Sequence, residues 1–151
     1  MSREAIELTV SINVAEERKK PRLLSMLFCD YVNQTVEGKV NLLGTFDRIF
    51  VDKGASTPKF IIFLRTAETL DGELRLTIIS PKEKAVAALV FGGDAERKNP
   101  DYQQMQLITP MQFQVMEHGL YWFDLSYKDQ SLGGVGLSLE PRPPEPESER
   151  K

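Results

Sequence analysis

Residues 26–51, MLFCDYVNQTVEGKVNLLGTFDRIFV, consist of two apolar runs joined by a polar turn that ends at Gly38. This pattern predicts a long β-hairpin. Gly44 interrupts the second run, and the alternation of apolar residues changes phase around it, which predicts a bulge or a sharp bend. This stretch begins a series of similar runs that continues to Leu139, and the series indicates an all-β fold.

Similar runs continue along the chain, separated by residues typical of turns. We predict strands at about 23–32, 39–51, 59–66, 73–80, 84–91, 103–115, 120–128 and 132–139. Pro110 is predicted to mark an edge or a bend. No stretch between the strands has the length and 3.6-residue period of a crossover helix, so pairing should be mainly antiparallel. The predicted fold is all-β, an antiparallel β-sandwich of immunoglobulin-like general character.

The N-terminal segment is predicted to be an added strand. Five aliphatic residues alternate with polar ones, which gives the strand a single apolar face: Ile6, Leu8, Val10, Ile12 and Val14. Such a strand is about 30 Å long and is an aggregation hazard if left unpaired. The charged connector 15–22 gives it reach, so it either closes a sheet of its own chain or adds to a sheet edge of another chain.

These features divide the chain into three parts: an N-terminal strand and connector at 1–22, a sandwich domain at 23–140 and a proline-rich tail at 141–151 that is expected to be disordered. The length of 151 residues suits one domain with one core. The net charge of −3 disfavours binding to nucleic acid, and no apolar run is long enough to span a membrane. The single cysteine, Cys29, and the lack of a signal-peptide pattern indicate a cytoplasmic protein.

Few residues suggest chemistry. His118 is the only histidine, and it is expected to be exposed in a turn. Cys29 lies in an apolar run, where a buried thiol is inert. Trp122, the only tryptophan, lies on the opposite strand face from Tyr121 and Phe123. It is either covered by a neighbouring segment or exposed as a contact for a partner or ligand.

Two segments resemble a group of small bacterial proteins known only as domains of unknown function and expected to be compact β-sandwiches. The resemblance spans about residues 23–139. In the first segment it is carried by Asp30, Gly38, Asn41, Leu43, Gly44, Phe46 and Asp47, and in the second by Gly119, Tyr121 and Phe123. It implies a sandwich fold and no activity, so it assigns no catalytic residues.

The sequence therefore favours a non-enzymatic scaffold or protein-interaction module, whose interaction residues are the five aliphatics of the N-terminal strand and Trp122. Its expected partner is another protein or a second copy, joined by strand addition, and no cofactor is expected. The alternative is a module that binds calcium, a carbohydrate or a small molecule through its end loops or Trp122. An enzyme using Cys29 or His118 is the third interpretation.

Overall fold

The computed structural model describes residues 21–67, 73–92 and 104–144. Within these ranges the chain forms nine strands: β1 (Arg22–Gln34), β2 (Val40–Phe46), β3 (Arg48–Phe50), β4 (Phe60–Ala67), β5 (Glu73–Ile79), β6 (Ala85–Gly92), β7 (Gln104–Met111), β8 (Gly119–Tyr127) and β9 (Gln130–Glu140). They form a four-stranded sheet in the order β2-β1-β4-β7 and a five-stranded sheet in the order β3-β9-β8-β5-β6. The predicted β-sandwich is confirmed.

Alternation of side chains builds the core between the two sheets. On β5, Leu74, Leu76 and Ile78 are buried, whereas Glu73 and Arg75 point to solvent. All strand pairs are antiparallel except β3 with β9, which is parallel. The two-residue period of β5 therefore gives this strand one buried face and one solvent-facing face.

The bulge predicted at Gly44 is wrong. Pairing of β1 with β2 runs without a register shift from Phe28 opposite Phe46 to Gln34 opposite Val40. The bend lies three residues later at Asp47, where the chain leaves the four-stranded sheet and enters the five-stranded sheet as β3. The apolar alternation changes phase because the two halves of the predicted strand belong to different sheets.

An aromatic cluster joins the sheets. Phe28 of β1 and Phe123 of β8 meet edge to face with ring centroids 4.7 Å apart. Tyr121 is buried, and its hydroxyl donates a 2.7 Å hydrogen bond to the carbonyl oxygen of Glu117, four residues upstream. This bond has the form of the tyrosine corner found in immunoglobulin-like sandwiches.

The last two strands are joined by a tighter turn than predicted. Tyr127 pairs with Gln130, so only Lys128 and Asp129 form the turn. Their φ angles are 47° and 64°, the geometry of a type I′ hairpin turn. The final strand therefore begins at Gln130, and not after a turn at residues 129–131.

The sixth predicted strand also ends earlier than expected. Strand β7 stops at Met111, directly after Pro110. The following residues pair instead with the loop before β4, because the Thr57 N–H donates to the Phe113 carbonyl and Val115 bonds to Ala55. Val115 is nevertheless fully buried.

Candidate functional site: an open edge and an exposed tryptophan

Within the described ranges, the edge strands are β2 and β7 in one sheet and β3 and β6 in the other. Three of them carry features that discourage further pairing. Strand β7 contains Pro110, as the edge prediction requires, β2 contains Gly44 at a φ of 69°, and β3 is three residues long. Strand β6, AVAALVFG, has eight residues with neither a charge nor a proline, so it is the least protected edge.

The inward side of β6 is incompletely covered. Its core-facing residues Ala87, Leu89 and Phe91 are only half-buried. The corresponding residues of the adjacent strand β5 are at most 1% exposed. Met105 and Leu107 on β7 are also half-buried, so the side of the sandwich bounded by β6 and β7 is apolar and partly open to solvent. An apolar strand placed there would complete the core.

Trp122 lies on the outer face of the five-stranded sheet and is 40% exposed. Its Nε1–H donates a long, 3.4 Å hydrogen bond to Oδ1 of Asp124. The indole passes over Gly134, where a Cβ atom would be 3.0 Å from its Cε2 atom. The sequence leaves two interpretations of Trp122, a ring covered by a neighbouring segment and a ring exposed as a contact residue. In the described part of the chain the ring is partly exposed.

Apolar residues adjoin the indole. Leu120, two residues earlier on β8, is 59% exposed, and Ile79 of β5 lies opposite Trp122. We call Ile79, Leu120 and Trp122 the Trp122 patch. Single exposed apolar residues are ordinary on a protein surface, whereas these three lie next to one another on one sheet face.

The rest of this outer face is polar. The carboxylate of Asp124 accepts a 2.6 Å hydrogen bond from the Ser131 hydroxyl. Beyond it, a shallow depression of about 400 Å³ is bordered by charged side chains that include Arg75 and Lys128. The outer face therefore has an apolar half around Trp122 and a charged half towards the turn between β8 and β9.

The five aliphatic residues predicted as interaction residues lie outside the described residues: Ile6, Leu8, Val10, Ile12 and Val14. Their strand stays a prediction. The sequence reasoning did not single out β6 as an acceptor, although eight uncharged residues between turns were the available signal. Edge position depends on the order of strands, which a local pattern does not contain.

The surroundings of Cys29 and His118, the two residues considered for catalysis, are as follows in the sandwich. Cys29 is a buried free thiol, and burial raises its pKa, with the nearby Asp30 carboxylate adding to this effect and a backbone hydrogen bond at Tyr31 opposing it. A raised pKa makes the thiol a poor nucleophile. His118 is half-buried, not exposed as predicted, because its Nε2 atom lies 2.8 Å from the Val51 carbonyl oxygen. In the described ranges, no group of three or more His, Cys, Asp or Glu side chains could hold a metal ion.

Comparison with known proteins places the sandwich in a family. Residues 24–140, from β1 to the end of β9, match the family model DUF6941, a family of unknown function. The chain belongs to the DUF6941 family. This membership confirms the resemblance to an uncharacterised family and, like it, assigns no activity to the DUF6941 domain.

Among solved structures, the DUF6941 domain is similar to the crystal structure of an immunoglobulin-like protein from Pseudomonas aeruginosa. The two are 12% identical, with a TM-score of 0.43, and the match covers 82% of this chain and 98% of the other. No curated protein matches the chain. The described residues contain no helix long and apolar enough to cross a membrane.

Proposed function

We propose that this protein is a non-enzymatic interaction module that assembles by strand addition, with residues 6–14 of one copy pairing with β6 of a second copy. The observation that supports this proposal is the unprotected edge of β6, whose inward side chains are half-buried. Strand addition supplies backbone hydrogen bonds to such an edge and side chains to the adjoining core.

The two surfaces are complementary in chemistry. The N-terminal strand carries five aliphatic residues on one face and polar residues on the other. With its apolar face turned inward, it would cover Leu89 and Phe91 of β6. Burying five aliphatic side chains removes on the order of 500 Å² of apolar surface, worth roughly 10 kcal/mol before ordering costs.

Chain direction favours a second copy as the donor. Arg22 pairs with Ala67 at the end of β4, and Glu73 at the start of β5 pairs with Gly92. Because only residues 68–72 separate these pairs, β1 begins at the end of the sandwich where β6 finishes. Residues 6–14 lead into β1, so with a connector that turns at this end of the sandwich they would run parallel to β6 of their own chain. A strand from another copy can enter antiparallel, which is the more stable pairing.

The first test is the absolute mass in solution, measured by light scattering after size exclusion. We expect a dimer for the full chain and a monomer for a chain lacking residues 1–20. Leu8→Lys with Ile12→Lys should also give a monomer, because both charges fall on the apolar face. The matched control, Thr9→Lys with Ser11→Lys, changes the other face of the same strand and should remain dimeric. A monomeric full chain would contradict the proposal and indicate closure within one molecule.

Hydrogen exchange of backbone amides tests which edge accepts the strand. Amides of residues 85–92 should be protected in the full chain and exchange faster in the chain lacking residues 1–20. Amides of β7 serve as the internal comparison, since they should change little. If removal of residues 1–20 lowered the protection of β7 amides and left that of β6 amides unchanged, β6 would not be the acceptor.

We also propose a cytoplasmic location. The one cysteine of the chain is a buried free thiol, which suits a reducing compartment. Fractionation of cells that produce the full protein at its natural level checks this, and recovery of the protein outside the cytoplasm would contradict it.

A second candidate function is binding of a carbohydrate at the Trp122 patch. The exposed indole beside the Asp124 carboxylate is the observation that favours it, because an aromatic face can stack on a sugar ring while a carboxylate accepts hydroxyl hydrogen bonds. Quenching of the only tryptophan by a panel of oligosaccharides would support this candidate. Unchanged fluorescence across the panel would remove it.

A further inference from the structure

A cleft of about 580 Å³ lies at the side of the sandwich where the chain passes from β2 into β3. Its apolar wall is formed by Phe46, Ile49, Phe50, Pro58, Phe60 and Pro143. Its charged residues are Asp30, Arg48, Lys59 and Arg142. The size falls within the range of small-molecule sites, about 300–1,000 Å³.

The apolar wall is fixed by the core. Phe60 is 2% exposed and meets Phe28 edge to face, with ring centroids 5.9 Å apart. Phe46 packs against Phe60 at 5.8 Å in a second edge-to-face contact. Phe50, by contrast, is 42% exposed at the mouth of the cleft. The cleft is therefore preformed, and a ligand would bury apolar surface without first ordering these rings.

Positive charge dominates the rim. Arg48 forms an ion pair with Glu140, in which Nε and Oε2 are 3.4 Å apart. Lys59 and Arg142 form no ion pair with any other described residue. The whole chain has a net charge of −3. The cleft has the opposite sign of charge, because Lys59 and Arg142 are not neutralised by an ion pair with another described residue.

The single lining carboxylate belongs to Asp30, which faces Gly44 across the β1–β2 pair. A Cβ atom on Gly44 would lie 2.5 Å from Oδ2 of Asp30. The glycine therefore leaves room for this carboxylate, whereas Lys59 and Arg142 come from other segments, before β4 and after β9.

We infer that this cleft binds an organic anion whose aromatic or aliphatic body lies against Phe46, Phe50 and Pro58 while its acidic head pairs with Lys59 and Arg142. Charge-assisted hydrogen bonds to the head would fix its orientation, and the apolar wall would supply most of the buried area. This inference is independent of strand addition at β6, which involves other strands.

Two probes with the same aromatic body test it: anilinonaphthalene sulfonate, which is an anion, and the neutral N-phenylnaphthylamine. Fluorescence titration of the full chain should show at least about tenfold tighter binding of the anion, equivalent to one strong charge-assisted contact. Lys59→Gln with Arg142→Gln should abolish this preference. The matched control, Lys39→Gln with Lys128→Gln, neutralises two cations outside the cleft and should retain it.

The contribution of the apolar wall is tested separately. Phe50→Ala should weaken both probes by a similar factor, because it removes contact with the body and leaves the charges in place. Amide shifts in nuclear magnetic resonance spectra should change at residues 48–50 and 59. An anion preference that survives the Lys59 and Arg142 substitutions, or shifts confined to another surface, would overturn the inference.

The chain contains a candidate competing anion, since residues 145–151, EPESERK, follow directly after the cleft-lining residues and contain three glutamates beside Arg150 and Lys151. Removal of residues 145–151 should change the affinity for anilinonaphthalene sulfonate by less than about twofold. An increase of tenfold or more would show that the acidic tail is the occupant, and would overturn a small organic anion as the ligand.

Discussion

Single side chains stabilise the sandwich in addition to its two sheets, and Tyr121 is the clearest example. Replacing it with phenylalanine keeps the buried ring and removes only the hydrogen bond to the Glu117 carbonyl. We expect Tyr121→Phe to lower the free energy of unfolding by about 1 kcal/mol in urea denaturation at about pH 8. Tyr31→Phe, at a tyrosine that is 55% exposed, is the control and should change stability little. Equal stability of the two variants would contradict a structural role for the bond.

The same hydroxyl predicts a pH dependence. Burial raises the pKa of Tyr121, and the nearby Glu117 charge adds to the shift. The folded protein therefore holds this proton more tightly than the unfolded chain, whose tyrosine pKa is about 10. Stability from this group is complete below pH about 10 and falls as the pH rises above it. The stability difference between the wild-type protein and Tyr121→Phe should shrink over that window, and a constant difference would contradict the shift.

Turns contribute to the stability of the strands that they join, and the turn between β8 and β9 allows the most direct test of this contribution. Asp129 has a φ of 64° in a type I′ turn, a conformation that glycine adopts without strain. We expect Asp129→Gly to raise the free energy of unfolding by about 0.5–1 kcal/mol. This figure already subtracts the conformational entropy that glycine adds to the unfolded chain. Asp52→Gly is the matched control, since Asp52 is a turn residue without a positive φ, and it should destabilise. A destabilising Asp129→Gly would contradict the turn geometry.

Strands were largely predictable from the sequence, because a two-residue period is a local signal. The predicted run at 73–80 is β5. The split of the run 39–51 at Asp47 was not predictable, since nothing local tells a chain which sheet it enters next. The edge position of β6 and the meeting of Arg48, Lys59 and Arg142 depend on contacts between distant segments, which single-sequence patterns do not encode.

At the scale of the whole molecule, the described sandwich has two unlike sides. The β2–β3 side holds a cleft whose wall includes the packed rings of Phe46 and Phe60, and its Lys59 and Arg142 form no ion pair with another described residue. The β6–β7 side has half-buried core residues and an unprotected strand. A site for a small ligand suits the first side, because its wall is complete, and strand addition suits the second, because its core is not.

The proposed assembly by strand addition would make the stability of the whole molecule depend on protein concentration. Unfolding of an exchanged dimer also dissociates it, so higher concentration favours the folded state. With an unfolding enthalpy of about 0.7 kcal/mol per residue, we expect the melting temperature to rise by about 2 °C for each tenfold increase in concentration. Calorimetry of the full chain and of the chain lacking residues 1–20 checks this, with the rise expected only in the former. A melting temperature of the full chain that stays constant over a hundredfold range would mean that the N-terminal strand does not join two molecules.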